Sequence, residues 1–541
     1  MFSSRARQNV LGPCLFLAVG ILGVLVPAEV GASPPNMLGG GDGDDRIGLG
    51  MEGRPVLTSG GYFRCEFFYR KPNLYYGYDE VLGAWLPRGS PYTAFGLVSS
   101  SDREAYAEAN LELTWDPVPW FSAYTDTSVI FDTEQIPQSI FEQAQDLLVA
   151  VGVVDPTMEL SYQKGVPIPG VGGSASERPG PQRLQVNELY LSVDVPDWVS
   201  LTLGKRRVTW GSAFTWAPMD VVNPPFNPFE PSLLREGAYT AVVDLTRFYQ
   251  VGLTLLYRPW VEENPRGLPA TWDFDQGLFA ARAYLNVFSS DLNLVAYQDR
   301  GRWYGGASFS RYFGEVEAHL EALVQRGRPT WLVQQVPGST LDGQGTAAPY
   351  QVGQFDMTRC LETGDCPLYP DLVLGLRRSF DDGSFLLLEY RYHGAGYDRE
   401  EYDLYRDLTT YLEEQLPHVA SELSLEDSVM DEEVAQSWVE MISSAPFLYQ
   451  EPNPRVHYLA VTFLKSEMWD LVEPRVTAVC NIDDGSIIVY PSANFWMSKG
   501  QRGPGSVAFL AGVMMFLGRP DAQVGVYPAR FSGNLRLTAR F

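Results

Sequence analysis

One stretch, REAYAEANLELTWDP (103–117), constrains this chain more than its length or composition does. Ala105, Ala107, Ala109, Leu111, Leu113 and Trp115 take every second position, and Glu104, Tyr106, Glu108, Asn110, Glu112 and Thr114 fill those between. A period of two is that of a β-strand, whose successive side chains point to opposite faces. Strands of globular proteins run about five or six residues. This one runs roughly twice as far, the length a tilted strand needs to cross the hydrocarbon of a bilayer. Apolar on one face and acidic on the other, it reads as a strand between lipid and water.

The pattern recurs along the chain, in NELYLSVDV (187–195), LFAARAYLNVF (278–288), GEVEAHLEALVQ (314–325), FLLLEYRYH (385–393) and the terminal NLRLTARF (534–541). At the other end of the alternating region, Phe63, Cys65, Phe67 and Tyr69 oppose Arg64, Glu66 and Arg70. Counting hairpins gives about eighteen strands, with sixteen the alternative. Their connections alternate as well: short turns such as DPVP (116–119), VPD (195–197) and YFG (312–314) take turns with loops at 132–184, 210–237, 326–370 and 394–454. Trp115, Trp120, Trp198 and Trp469 flank the short turns, as an interfacial aromatic girdle would. The expected fold is all-β: a transmembrane antiparallel up-and-down β-barrel with helical insertions in external loops, its last strand paired with its first so that no sheet edge meets lipid. One ambiguity follows from the turn count. FDDGSF (380–385) and IDDGSI (482–487) look like one turn used twice, yet they fall at opposite ends of the barrel.

The N-terminus fits this reading. Arg5 and Arg7 precede an apolar run from Val10 to Val26, and Val30-Gly31-Ala32 is a small-residue cleavage site, so residues 1–32 form a secretory signal peptide. Residues 33–60 are expected to be a periplasmic linker and 61–541 the barrel. Cleavage would remove two arginines and one glutamate, taking the net charge from −26 to −27. Such an acidic chain is no partner for nucleic acid. Between Asp398 and Glu440 stand fourteen acids and two bases, so 394–454 holds nearly half of that charge. Apolar positions at Ile140, Ala144, Leu147, Leu148 and Val151 predict a helix within 136–154, and 398–443 has the pattern of two more.

The stretch LTLGKRRVTWGSAFTWAPMDVVNPPFNPFEP (201–231) resembles a motif of porin-like bacterial outer-membrane β-barrels, in which G-[KR]-x-x-[VI]-x-W-G precedes D-[VI]-x-N-P. Gly204, Lys205, Val208, Trp210 and Gly211 carry the first half, and Asp220, Val221, Asn223 and Pro224 the second. The resemblance implies a channel or substrate-transporting barrel and no particular solute. The terminal Phe541 likewise resembles the C-terminal signal read by the barrel-assembly machinery.

A barrel of sixteen or eighteen strands encloses an aqueous channel unless something fills it. Expected pore-lining residues are Arg64, Glu66, Glu104, Glu108, Glu112, Glu188, Arg206, Arg282, Glu317, His319, Glu321, Arg391 and Arg536, with Asp126, Arg258, Arg377 and Glu389 also on inward positions. Two readings of these charges stand: a field that orients solutes, or a wet wall whose charges pair with one another. The proline-rich 223–231 is expected either to fold inward as a constriction or to stand outside as a rigid loop. His319 between Glu317 and Glu321, one strand from Ser308 and Ser310, allows a Ser-His-acid set on paper, but a solvated wall histidine is the ordinary reading, and no enzyme is expected. Neither zinc nor EF-hand spacing occurs, so no metal or cofactor is expected. The functional reading is an outer-membrane channel for passive or selective passage of small solutes. The alternatives are a plugged barrel serving as a surface receptor or interaction scaffold, and a conduit for a hydrophobic molecule. Membrane lipid and the assembly machinery are expected partners, with homo-oligomerisation left open. Cys360 and Cys366, in CLETGDC, are expected to form a disulfide, while Cys65 and Cys480 sit on alternating strands too far apart round the wall to pair.

Overall fold

The computed structural model describes residues 56–72, 75–79, 84–88, 103–132, 182–195, 198–223, 237–247, 250–263, 269–299, 302–328, 330–336, 348–364, 366–408, 411, 437, 441, 455–466, 468, 471–497, 505–519, 522–523 and 529–540. The signal peptide, most of the linker, the helix at 136–154, Pro224, Trp469 and Phe541 therefore lie outside the described residues.

Eighteen strands form one sheet. They are β1 (Val56–Pro72), β2 (Arg103–Val118), β3 (Phe121–Asp132), β4 (Gln182–Val195), β5 (Val199–Arg206), β6 (Ala238–Arg247), β7 (Val251–Glu263), β8 (Pro269–Val287), β9 (Ser290–Asp299), β10 (Arg302–Phe313), β11 (Val316–Arg326), β12 (Leu368–Ser379), β13 (Phe385–His393), β14 (His457–Leu464), β15 (Val472–Asn481), β16 (Ile487–Trp496), β17 (Val507–Leu517) and β18 (Ala529–Arg540). Each pairs antiparallel with its chain neighbours, and β1 pairs with both β2 and β18, so the sheet closes into a barrel. The seam is locked in register: Glu66 stands opposite Arg536, and the guanidinium clasps the carboxylate with two hydrogen bonds, Nε to Oε2 at 3.0 Å and Nη2 to Oε1 at 2.8 Å.

Alternation along the strands sorts the faces as expected. Leu374, Leu376, Leu386, Leu388, Leu535 and Leu537 stand exposed on the outside, where soluble folds would hide them. Trp115, Trp120 and Trp198 at the short-turn end, and Trp260 and Trp303 at the loop end, are exposed too and border this apolar belt. An exposed belt on a closed sheet is what a bilayer requires, since every backbone group is satisfied within the wall. No helix among the described residues is long and apolar enough to span a membrane, and the strands do the crossing.

Several boundaries differ from expectation; β18, for one, begins at Ala529 rather than 534. β1 begins at Val56 rather than 61, because Val56–Ser59 continue the pairing with Leu113–Asp116. β8 begins at Pro269 rather than near 277, because its hairpin with β7 extends through a register shift between Asp273 and Leu278. β5 ends at Arg206, three residues early, for the reason given below. The twin turns do lie at opposite ends: Gly383 and Gly485 both take left-handed φ, 77° and 73°, and Asp382 and Asp484 each accept the amide two residues on. The same local chemistry, an aspartate turn closed by glycine, serves both rims.

At the loop end, β-hairpins pair Tyr75–Asp79 with Ala84–Arg88 and Leu332–Gln335 with Tyr350–Gly353. The short helix α1 (Phe355–Thr363) ends at Gly364, and residues 399–408 are helical. Cys360 and Cys366 are joined by a disulfide beside α1, with Cα atoms 4.6 Å apart. Cys65 packs with Phe63 and Ala107 on the outer face, and Cys480 lies on β15.

Candidate functional site: a loop folded across the lumen

The site begins where β5 stops. Continued alternation would turn Arg207 toward lipid, where a charge costs about 2–4 kcal/mol near the midplane. Instead the chain leaves the wall and bends into the barrel. Arg207 Nη2 donates to Asp126 Oδ2 at 2.5 Å, and its Nη1 lies 3.2 Å from Glu188 Oε2. Burial alone would lower the pKa of this guanidinium, but Glu188 and Asp126 outweigh it and push the pKa up.

From there the motif residues close the loop on itself. Asn223 reaches back to Val208, its Oδ1 accepting from Val208 N at 3.2 Å while its Nδ2 donates to Val208 O. Asp220 Oδ1 accepts from Trp210 N at 2.6 Å and Gly211 N at 3.1 Å. Two glycines are steric requirements. A Cβ on Gly204, at φ 132°, would stand 2.2 Å from Leu189 O, and one on Gly211 would stand 2.7 Å from a Glu321 carboxylate oxygen. Lys205 is fully buried, its ammonium 5.5 Å from the centroid of Tyr239. The spaced residues W-G and D-x-x-N thus form a clasp that pinches residues 208 and 223 together.

Wall carboxylates hold the tip. Glu321 on β11 accepts from Ser212 N at 2.8 Å, Ala213 N at 3.1 Å and Met219 N at 2.6 Å. Glu389 on β13 accepts from Phe214 N at 2.8 Å and Thr215 N at 2.6 Å, and His319 Nε2 lies 2.7 Å from the same carboxylate. Tyr297 OH donates to Met219 O, and Arg258 Nη1 donates to Val222 O at 2.7 Å. Val208, Trp210, Met219 and Val222 pack against inward side chains of β6 to β11: Val242, Leu256, Leu278, Ala280, Val295, Tyr297, Tyr304 and Leu323. Trp216 then reaches Tyr458 on β14, with ring centroids 5.9 Å apart. In a ring of eighteen strands β14 stands nine from β5, on the opposite wall. The loop crosses the whole lumen.

The expected pore-lining residues divide accordingly. Glu321 and His319 do not face open lumen; both are buried beneath the loop, and His319 meets Glu389 rather than its strand neighbours Glu317 and Glu321. A close fit explains the ring's place, since a Cβ on Gly375 would stand 1.9 Å from His319 Nε2. Ser308 Oγ accepts from Asn293 Nδ2 at 3.0 Å, and Ser310, which stands opposite His319 across β10–β11, shares no hydrogen bond with it among the described residues. Glu317 lies 3.9 Å from Arg377. Arg391 grips Asp371 through Nε at 3.0 Å and Nη2 at 2.6 Å. Glu66 and Arg536 form the seam clasp, and Glu108 takes Arg64, Tyr62 OH at 2.9 Å, Tyr106 OH at 2.8 Å and Ser128 Oγ at 2.6 Å. Arg206 lies 5.7 Å from the ring centroid of Tyr190, and Arg282 lies 5.8 Å from that of Tyr284. Glu112 makes no ion pair or hydrogen bond among the described residues. Glu104 is on β2, but its side chain is outside those described. Mutual pairing of wall charges is therefore the rule. No group of three or more His, Cys, Asp or Glu among the described residues is arranged to hold a metal ion.

Arg207, Tyr297 and Tyr458 were not anticipated. A signal for Arg207 existed: it falls on the outward face if β5 runs on past 206, where a charge facing lipid is costly.

The fold and site together define a closed eighteen-strand transmembrane barrel with a loop clasped across its lumen. No family model matches the chain, and no curated protein matches it. Among solved structures the chain is similar to OccK5 (OpdH) of Pseudomonas aeruginosa, at 8% identity and TM-score 0.43, covering 90% of this chain and 98% of that one. It is similar also to OccAB2 of Acinetobacter baumannii, at 8% identity and TM-score 0.44, covering 90% and 98%. A third is the outer membrane protein OpdK of Pseudomonas aeruginosa, at 8% identity and TM-score 0.42, covering 90% and 99%. Likenesses this remote say nothing of what this barrel carries.

Proposed function

We propose that the protein is a porin-like channel of a Gram-negative-type outer membrane, passing small solutes through a lumen narrowed by residues 207–223. The observation that carries this reading is the span of the loop from β5 to Tyr458 on β14, fixed by backbone hydrogen bonds to Glu321 and Glu389. A barrel this wide would admit almost any small molecule. A rigid bar across it converts a wide tube into a narrow passage with defined walls. The exposed apolar belt and the N-terminal export signal support the location, with the long loops outside the cell and Phe541 read by the assembly machinery. The apolar wall residues give no support to a hydrophobic conduit, because the loop covers them.

The same crossing loop favours a second reading, a closed barrel serving as a surface scaffold. Reconstitution of the full chain in planar bilayers separates the two. Discrete conductance steps are the expected result, and a membrane that stays silent would favour the scaffold.

A further inference from the structure

Three residues stand in one row of the wall beneath the loop. Register places His319 on β11 opposite Gly375 on β12, and Gly375 opposite Glu389 on β13. Two strand spacings, roughly 9–10 Å, separate the backbones of the histidine and the glutamate. The imidazole crosses that distance by lying over Gly375, and its Nε2 comes 2.7 Å from Glu389 Oε1. A Cβ on Gly375 would stand 1.9 Å from Nε2 and 2.2 Å from Cε1. Gly375 does not take a left-handed φ, so its backbone makes no demand for glycine; the ring above it does.

His319 is buried, and its Nδ1 has no hydrogen-bond partner among the described residues. An apolar side chain would fill the same space without leaving a polar atom unpaired, a costly defect in a dry site. What the ring supplies in return is one N–H, given by Nε2 to a carboxylate oxygen. Glu389 is fully buried and accepts two loop amides, Phe214 N on Oε1 and Thr215 N on Oε2. Glu321 accepts three, those of Ser212, Ala213 and Met219. His319 makes up the third donor on Glu389, and by binding Oε1 beside Phe214 N it fixes the rotation of the carboxylate. It also touches the loop directly: the Phe214 and His319 rings meet edge to face with centroids 5.4 Å apart.

We infer that His319 is a positioning residue for the loop: held over Gly375, it orients Glu389 onto the Phe214 and Thr215 amides and so fixes the stretch that runs on to Trp216 and the far wall. The inference rests on the channel reading where current is the measure. The near part of the loop has its own supports, since Ser212, Ala213 and Met219 hang on Glu321 while Trp210 and Met219 pack in the apolar core. Among the described residues the far part, 214–216, is held by Glu389, by Phe214 against His319 and the Arg377 guanidinium, and by Trp216 against Tyr458. Loss of the histidine should loosen that end and leave the other in place.

The experiment is residue-resolved amide hydrogen exchange of the full chain in detergent, for wild type, His319→Leu, His319→Gln and Gly375→Ala. His319→Leu fills the site without a donor, His319→Gln keeps a donor without a ring, and Gly375→Ala displaces the ring with the histidine intact. In His319→Leu and Gly375→Ala the Phe214 and Thr215 amides should exchange about tenfold faster or more, the factor that loss of one charge-assisted hydrogen bond carries. The Ser212, Ala213 and Met219 amides should keep their rates, and His319→Gln should restore those of Phe214 and Thr215. In planar bilayers His319→Leu and Gly375→Ala should give larger, noisier current steps than wild type and His319→Gln. Wild-type exchange in His319→Leu, a His319→Gln that behaves as His319→Leu, equal acceleration of all five amides, or steps of one size in all four proteins overturns the inference. The expected exchange pattern with silent membranes overturns the channel reading and leaves the positioning role standing.

Discussion

Two arcs of the lumen wall are built on opposite rules. From β6 to β11 the inward positions carry Val242, Leu256, Leu278, Val295, Tyr297 and Leu323, packed dry against the loop. From β18 through β1 to β4 they carry Glu66, Arg64, Glu108, Asp126, Glu188 and Arg536, held in ion pairs. One half is a small protein core formed inside a barrel; the other is a polar wall. The apolar half anchors the bar, and its burial supplies the cohesion that a loop in water lacks. The polar wall spends its buried side chains on ion pairs and hydrogen bonds with one another, so it offers the loop no comparable apolar surface.

This contrast can be broken most directly at the anchors. Replacing Glu321 and Glu389 together by alanine removes the acceptors for five loop amides. Single-channel conductance is expected to rise several-fold as the bar swings from the lumen; unchanged conductance would mean the loop does not obstruct the pore. Trp210→Ala tests the dry core. Removing a buried tryptophan costs about 3–5 kcal/mol, here charged to the loop rather than to the barrel. Current traces should become noisy and protease should cut within 207–223, while the barrel keeps its resistance to unfolding in detergent. Intact, quiet loops in that variant would show that the carboxylate anchors suffice alone.

The polar half should answer differently. Arg536→Ala leaves Glu66 buried without its ion-pair partner, a defect worth about 3–5 kcal/mol. Its effect belongs to seam stability, seen as a lower unfolding temperature of the barrel in detergent, with conductance little altered. A large conductance change would place the seam in the passage and blur the division between halves. Smallest of all should be reduction of Cys360–Cys366, which sits at the loop end beside α1. Reduced and oxidised protein are expected to conduct alike, as measured before and after dithiothreitol in the same bilayer.

Much of this architecture was legible in one dimension. Strand number, closure of β18 on β1 and the outward faces follow from alternation, because a strand at a lipid–water boundary must sort its residues at every second position. Glu321 and Glu389 were legible as inward-facing but not as anchors, since alternation reports a face and not what lies against it. Leu278, Ala280 and Leu323 stood on inward positions and broke the polar rule, which was the trace of a covered wall. The motif's W-G and D-x-x-N were visible as a pattern, yet their pairing across Val208 and Asn223 is a contact between residues fifteen positions apart.

The chain's sequence by itself determined a transmembrane barrel of this size, because membrane crossing is enforced locally, residue by residue, by hydrophobicity and backbone hydrogen bonding. Only the tertiary structure decided how the loop lies across the lumen. Trp216 meets Tyr458 across half the ring, and Ser212 meets Glu321 more than a hundred residues away. Such meetings are fixed by closure of the sheet, which brings distant strands to face one another, and no periodicity along the chain encodes them.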